Sequence, residues 1–384
     1  MFPPIASVPA ETAAEAELLP EPLPEEPVTV SIACVGDVMV HSTQYKAQYD
    51  SKTGAYDFDD NFQYVENYIK EADLSLFNLE TVFAGGSPQG YPAFNAPDGL
   101  ADSLKKAGFD VAFISNNHIL DQGVKGLMRT LSVLHEKGID TTGAYREGGR
   151  TFSLHHAGGV RIGLVSYTYE TPSINGMRTL NGNFIPESAR PLFNSFSYED
   201  LDSDIAGIGQ AISDAREAGA EIVVCYFHWG EEYQREPGRE QMRIAREVAG
   251  LGADIIFASH PHVVQPVEIL TDGDTGRRTA VFYSMGNFIS NQRTETLNNR
   301  YTEQGIIAKV SVSIMRSTGE ITDYQVSAIP VWVDRYRTDR MRYAIVPLDG
   351  GMAENAALKQ SGHLDRARTA LSDLKSLIGE EYLK

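Results

Sequence analysis

Short, almost wholly apolar runs recur along this chain, and each breaks off into a histidine, a carboxylate or an asparagine. The sharpest case lies between Asp254 and His262. Ile255, Ile256, Phe257 and Ala258 read as a buried strand, and Ser259-His260-Pro261-His262 follows at once. Pro261 stiffens the turn between two imidazoles, and neutral imidazole is the commonest metal-binding side chain. By itself such a pair is more often an ordinary polar loop. What distinguishes this one is how the other runs end.

The first run, from Val28 to Val35, stops at Gly36-Asp37, with His41 shortly after. The run from Ala72 ends in Asn78 and Glu80. Residues 109–114 lead into Ser115-Asn116-Asn117-His118, with Asp121 beyond, and Glu221 to Phe227 lead into His228-Trp229-Gly230-Glu231. Further strands are expected from Ile139 and over 160–167. Helical spacing of apolar residues marks about 61–70, 99–107, 123–137, 199–218 and 238–250. Alternating strands and helices form a layered α/β sheet whose strand C-terminal ends share one edge, so these polar residues converge in one crevice. Asp37 taken alone also fits a turn cap. Later, Asp-Gly-Asp-Thr-Gly between 265–270 and 279–284 signals a hairpin. Residues 305–314 and 321–333 read as antiparallel strands, and 352–380 as mostly helical. Residues 84–98 read as a Gly- and Pro-rich loop. Residues 170–197 show no clear period, and a lid or substrate wall and a variable surface insertion both fit them.

The convergent set mixes nitrogen and oxygen donors and lacks thiolate, which selects Zn, Mn or Fe. It is large enough for two divalent ions sharing a carboxylate, about 3.5–4 Å apart, a pair suited to activating water and stabilising both oxygens of a displacement. The two cysteines, Cys34 and Cys225, sit inside apolar runs and read as buried thiols. The net charge of −19 argues against nucleic-acid partners, which need a basic face. A polyanionic substrate would need a local basic patch or metal ions. No apolar run approaches the roughly 18 residues of a membrane span. Residues 2–28 lack Lys and Arg and are rich in Pro, Glu and Ala; residues 1–28 are therefore expected to be a disordered acidic linker, joined to a membrane anchor upstream.

The motifs Gly36-Asp37, Asn78-Leu79-Glu80, Asn116-Asn117-His118 with Asp121, His228-Trp229-Gly230-Glu231, Ser259-His260-Pro261-His262 and Tyr283-Ser284-Met285-Gly286-Asn287-Phe288, in that order over about residues 29–290, resemble the bacterial CapA family. That family includes PgsA proteins, is associated with capsule and poly-γ-glutamate synthesis, and is similar in fold to calcineurin-like metallophosphoesterases. The resemblance implies a metallophosphoesterase-like αββα sandwich over 29–335, with an added antiparallel hairpin region, and a mostly helical extension over 336–384. It implies Asp37, His41, Glu80, Asn117, His228, His260 and His262 as metal ligands. His118 is implied as leaving-group acid, with Asp121 orienting it. Three departures stand out: His41 is four residues from Asp37 instead of two, Glu80 stands where a bridging Asp is usual, and Ser115-Asn116 precede Asn117 where Gly is normal.

Trp229 and Asn287 are candidate substrate contacts, as are Arg235 and Arg239, whose planar forks suit carboxylates or phosphates, although a solvated helix face is the favoured account of the arginines. Glu231 and Glu232 could orient ligands. The expected partners are an anionic polymer or phosphorylated substrate and membrane components of a capsule synthesis complex, at the extracellular face of the cell membrane. A phosphoesterase, a γ-glutamyl amide hydrolase and a non-catalytic polymer-binding scaffold all fit this crevice.

Overall fold

A computed structural model describes residues 26–383; all but the last residues of the expected 1–28 linker lie outside them. In chain order, β1 (Val28–Val38) leads to α1 (Ser42–Ala47), a small hairpin of β2 (Tyr49–Asp50) and β3 (Ala55–Tyr56), then α2 (Asp59–Phe62) and α3 (Glu66–Lys70). Next come β4 (Leu74–Leu79), α4 (Gly99–Ala107), β5 (Val111–Phe113), α5 (Gly123–Glu136) and β6 (Asp140–Thr142). The second half begins with β7 (Phe152–Ala157), β8 (Val160–Ile174), β9 (Met177–Leu180), β10 (Asn183–Phe184) and β11 (Ser195–Ser197). It continues through α6 (Leu201–Glu217), β12 (Ile222–His228), α7 (Arg239–Gly250) and β13 (Ile255–Ser259) to a hairpin of β14 (Val267–Thr271) and β15 (Arg278–Phe282). The chain closes with β16 (Asn287–Ile289), α8 (Thr294–Leu297), β17 (Gln304–Met315), β18 (Glu320–Arg337), β19 (Met341–Pro347), α9 (Ala356–Ser361) and α10 (Leu364–Ile378).

Among the described residues the long strands form two sheets. One is ordered β19-β18-β17-β1-β4-β5-β6, with β16 beside β1; the other is β10-β9-β8-β12-β13-β15-β14, with β7 and β11 beside β8. The strands that carry the site pair in parallel, β1 with β4, and β12 with both β8 and β13. The two-residue period of a strand divides each of them between layers. Ile32 and Cys34, Ile222, Val224 and Tyr226, and Ile255 and Phe257 meet in the core between the sheets. Ala33 and Val35 turn outward to pack with α4 and α5; Val223, Cys225, Phe227, Ile256 and Ala258 turn outward to pack with α6 and α7. Phe113 and Tyr226 stack across the inter-sheet space, 4.3 Å between centroids. Each such fully buried side chain contributes about 1.5–3 kcal/mol. Because both faces of these strands are covered, they read as continuous apolar runs. The result is the helix–sheet–sheet–helix sandwich that was expected.

The structure differs from the sequence reading in places. Residues 170–197 are not structureless: β8 runs on to Ile174, β9 folds back against it, β10 pairs with β9, and β11 lies parallel to β8. These strands are short and partly exposed, which hides their alternation. The helix read over 61–70 is broken into α2 and α3, though Phe62, Val65 and Ile69 are all buried. The boundary expected at residue 335 falls inside β18, and β19 pairs beyond it before the C-terminal helices begin. No helix among the described residues is long and apolar enough to cross a membrane.

Candidate metal centre

The period that builds the inter-sheet core also aims the site. In β4, Leu74 and Leu76 face the core, so Asn78 and then Glu80 continue on that side at the strand end. In β12 the same phase carries Ile222, Val224 and Tyr226 on to His228. Asp37 is held by the neighbouring strand: its N–H donates to Gly286 O at 3.0 Å. A Cβ on Gly36 would lie 1.9 Å from that same oxygen, and Gly286 itself has φ +68°. The two glycines therefore allow the β1 and β16 backbones to touch where Asp37 leaves the sheet.

His260 and His262 leave β13 with φ of 102° and 59°, a region L-residues with side chains seldom occupy. Such strain persists where the surroundings over-determine the conformation. Here the Tyr233 N–H donates to Pro261 O at 2.8 Å, and the Trp229 N–H to Ser259 O at 3.1 Å. The strained turn directs both imidazoles into the crevice.

The donor atoms fall into two groups that share one carboxylate. Asp37, Glu80 and His262 form one; Glu80, His228 and His260 form the other, and within each group the ligand atoms lie within 4.8 Å of one another. All five side chains are buried. His262 Nδ1 is 3.0 Å from Asp37 Oδ2, and Asn78 donates to Asp37 Oδ1 at 2.8 Å. Glu80 Oε1 lies 3.6 Å from His228 Nε2 and 3.7 Å from His262 Nε2. Asn117 Oδ1 is 2.9 Å from His228 Nε2, placing an amide oxygen beside the second group. Asn116 braces Asn78 by donating to its Oδ1 at 3.2 Å and to Leu79 O at 2.7 Å.

The electrostatics show what these residues lack. Burial, with the Asp37 and Glu232 charges nearby, holds the Glu80 carboxyl far above its usual range. Burial and the other imidazoles push His228 well down, and His260 down to about 3. Burial lowers His262 less than the Asp37 hydrogen bond and charge raise it. Glu80 Oε1 and His260 Nδ1 are buried without a hydrogen-bond partner, which is costly in a dry interior. Among the described residues no Lys or Arg pairs with any of the five. Two buried carboxyl groups, two imidazoles held neutral by burial, a third hydrogen-bonded to Asp37, and two orphaned donor atoms fit divalent cations: lone pairs converge, and the missing positive charge is what an ion supplies.

His118 lies at the edge of this centre. Its Nδ1 is 2.8 Å from Asp121 Oδ2, and the Phe94 N–H donates to that same oxygen at 2.6 Å. The Phe94 ring stands edge-on to both His118 and His41. His41 is near but outside both groups; the Asn291 N–H donates to its Nδ1 at 3.3 Å, and burial lowers it to about 4. Asn287 is buried, donating to Gln292 Oε1 and Thr302 O, with its own Oδ1 unpartnered. The remaining candidates are engaged elsewhere. Trp229 stacks on Phe227 in the outer core and donates to Tyr283 O at 2.9 Å. Arg235 lies over the Tyr301 ring and donates to Asp373 O. Arg239 is exposed on α7 and pairs with Glu240. Glu232 reaches the rim, 4.0 Å from His262 Nε2.

Two aromatic neighbours escaped the sequence reading. Tyr169 packs against His260 with its ring tilted, 4.7 Å between centroids. It directly follows Thr168, which pairs in register with His228, so extending the strand read at 160–167 along the shared edge would have found it. Phe94 sits in a loop with no periodic signal.

Residues 31–292 match the family described as bacterial capsule synthesis protein PGA_cap. The PGA biosynthesis protein CapA of Bacillus subtilis is 29% identical over 272 residues, 68% of this chain and 64% of that protein. The capsule biosynthesis protein CapA of Bacillus anthracis is 27% identical over 277 residues, 68% of this chain and 60% of that protein. The chain thus spans less than two thirds of the length of either relative. Among solved structures, the calcineurin-like phosphoesterase YfkN from Bacillus subtilis aligns over 90% of this chain and 99% of its own, at 14% identity and a TM-score of 0.41, a likeness too loose to carry weight.

Proposed function

The chain belongs to the bacterial capsule synthesis protein family, and from that premise we propose that it serves capsule or poly-γ-glutamate biosynthesis at the cell envelope through a dinuclear, metal-dependent hydrolase site. The observation that carries this reading is the pair of ligand groups meeting at Glu80, whose Oε1 is buried and unpartnered. Two divalent cations held there, Mn, Zn or Fe, would supply Lewis acidity, activating water and neutralising charge as a phosphoryl or acyl centre is displaced.

The chain's own residues do the rest. Asp37, Glu80 and His262 would hold one ion, and Glu80, His228 and His260 the other, with Asn117 beside it. Asp121 fixes the His118 ring through Nδ1, leaving Nε2 as the nitrogen that hands a proton to the leaving group. The buried walls, among them Tyr226 and Phe94, exclude bulk water, which strengthens each charge interaction inside. An anionic polymer or phosphorylated precursor is the substrate class, and membrane components of the synthesis machinery are the partners. The extracellular face of the cell membrane is the location.

The experiment is metal content by elemental analysis on protein purified without chelator, with Asp37→Ala and His260→Ala alongside. Turnover is then measured on model phosphodiesters and γ-glutamyl amides. Two ions, reduced in the variants, with hydrolysis of either substrate class, supports the reading. Failure to retain or take up Mn, Zn or Fe would overturn it in favour of a polymer-binding scaffold. Hydrolysis confined to γ-glutamyl bonds would identify the enzyme as one that trims the polymer.

A further inference from the structure

Beside the His118–Asp121 dyad the surface opens into a cleft of about 630 Å³. The loop at Tyr91 forms one wall and the β9–β10 hairpin another. Tyr91 is 74% exposed and Phe184 52%, the highest values for large apolar side chains among the described residues, and both line this cleft. Leaving such a side chain in water forgoes about 1.5–3 kcal/mol of burial. Exposed aromatics gathered at a concavity mark a surface that meets something.

The polar part of the lining is equally distinctive. Asp121 is its only charged residue, and that carboxylate is already taken by His118 and the Phe94 N–H. The other polar side chains are the amides of Asn117, Asn181 and Asn183. Amides both donate and accept, which matches hydroxyl groups. They offer no counter-charge, and the chain as a whole carries −19. A run of carboxylates would enter this cleft against the field, with nothing inside to neutralise it.

We propose that this cleft seats the leaving-group side of the substrate, and that this group is an uncharged, hydroxyl-bearing ring, the chemistry of a sugar residue. The aromatic faces of Tyr91 and Phe184 cover its C–H face while the asparagines bond its hydroxyls. The assignment rests on the hydrolase reading only for the role of His118. On cleavage, the bond from the sugar oxygen to phosphorus or carbonyl carbon breaks, and the oxygen of water takes its place at that centre. The sugar oxygen receives the His118 proton, and the proton released by water restores it. The sum is addition of one water across the bond.

Saturation-transfer NMR tests this with the full chain and three probes: methyl N-acetylglucosaminide, methyl glucoside and γ-linked pentaglutamate, at physiological ionic strength. The expected result is transfer to the ring protons of a glycoside. Its affinity should fall at least tenfold in Phe184→Ala and in Tyr91→Ala, which are exposed and should keep wild-type metal content and melting temperature. Pentaglutamate should give no transfer that depends on Phe184. Absence of glycoside binding, glycoside binding untouched by both substitutions, or pentaglutamate binding lost with Phe184→Ala would each overturn the proposal. Binding is read without turnover. A protein that holds no metal yet binds glycoside through Phe184 therefore sinks the hydrolase reading and upholds the cleft assignment.

Discussion

Replacing Glu80 by Gln probes the one carboxylate common to both ligand groups. Its Oε1 is nearly equidistant from His228 and His262, at 3.6 and 3.7 Å, so losing its charge weakens both positions together. His260→Ala touches one group and Asp37→Ala the other. The expected stoichiometry is therefore near zero for Glu80→Gln and near one for each of the others. The thermal consequence follows from linkage: an ion present at 100 times its Kd adds about 2.7 kcal/mol to stability. Two such ions add about 5 kcal/mol, which for a chain of this size is on the order of 10 °C in melting temperature. Wild type should show that gain on adding Mn or Zn, the two single-group variants about half, and Glu80→Gln almost none. Without metal the order changes. Glu80 sits buried beside the Asp37 charge with its carboxyl destabilised, so metal-free Glu80→Gln should melt no lower than metal-free wild type. Calorimetry with and without added metal, beside elemental analysis, reads both effects. A Glu80→Gln protein that keeps one tightly bound ion would refute the shared-carboxylate reasoning.

His118→Asn should leave metal content unchanged and lower kcat by about 10²–10⁴-fold on whichever substrate class proves active; unaltered turnover would remove it as the acid. Asp121→Asn should give a smaller loss, since the ring keeps its place but not its carboxylate partner. Gly36→Ala forces a Cβ to 1.9 Å from Gly286 O, so β1 and β16 must separate. A cost of about 3 kcal/mol or more in denaturant titration is expected, with weakened metal retention because Asp37 leaves that junction. Arg239→Ala, which removes only an exposed pair with Glu240, should change neither metal content nor stability; a marked effect on either would show that α7 reaches the site.

Most of the centre was legible because burial and chemistry coincide at strand ends. Apolar runs such as 222–227 and 255–258 announce strands covered on both faces, and the polar residue that ends such a run must lie at the rim of the sheet. That logic gathers Asp37, Glu80, His228, His260 and His262 together with His41, Asn78, Asn117 and His118, and the family resemblance separates candidate ligands from their neighbours. His41 shows its limit: it lies in the loop after β1, and sequence distance from Asp37 does not say that its ring turns toward Asn291. Trp229 shows another. A large aromatic beside a site histidine looks like a pocket wall, but the two-residue period sends it to the opposite face from His228, into the outer core.

The sequence by itself determined the layered α/β architecture, the strand edge where the candidate residues gather and the nitrogen–oxygen character of the candidate ligand set. Periodicity and residue type are local properties, and they suffice for these. Only the tertiary structure decided how the candidate ligands divide between two groups that share Glu80, that His41 stays outside both, and that Arg235 and Arg239 are engaged away from the centre. Only the tertiary structure brought Tyr91 and Phe184, far apart in the chain, to the walls of one cleft. These outcomes depend on how two sheets face each other and on where loops without periodicity come to rest, and pairing across that distance is fixed by packing.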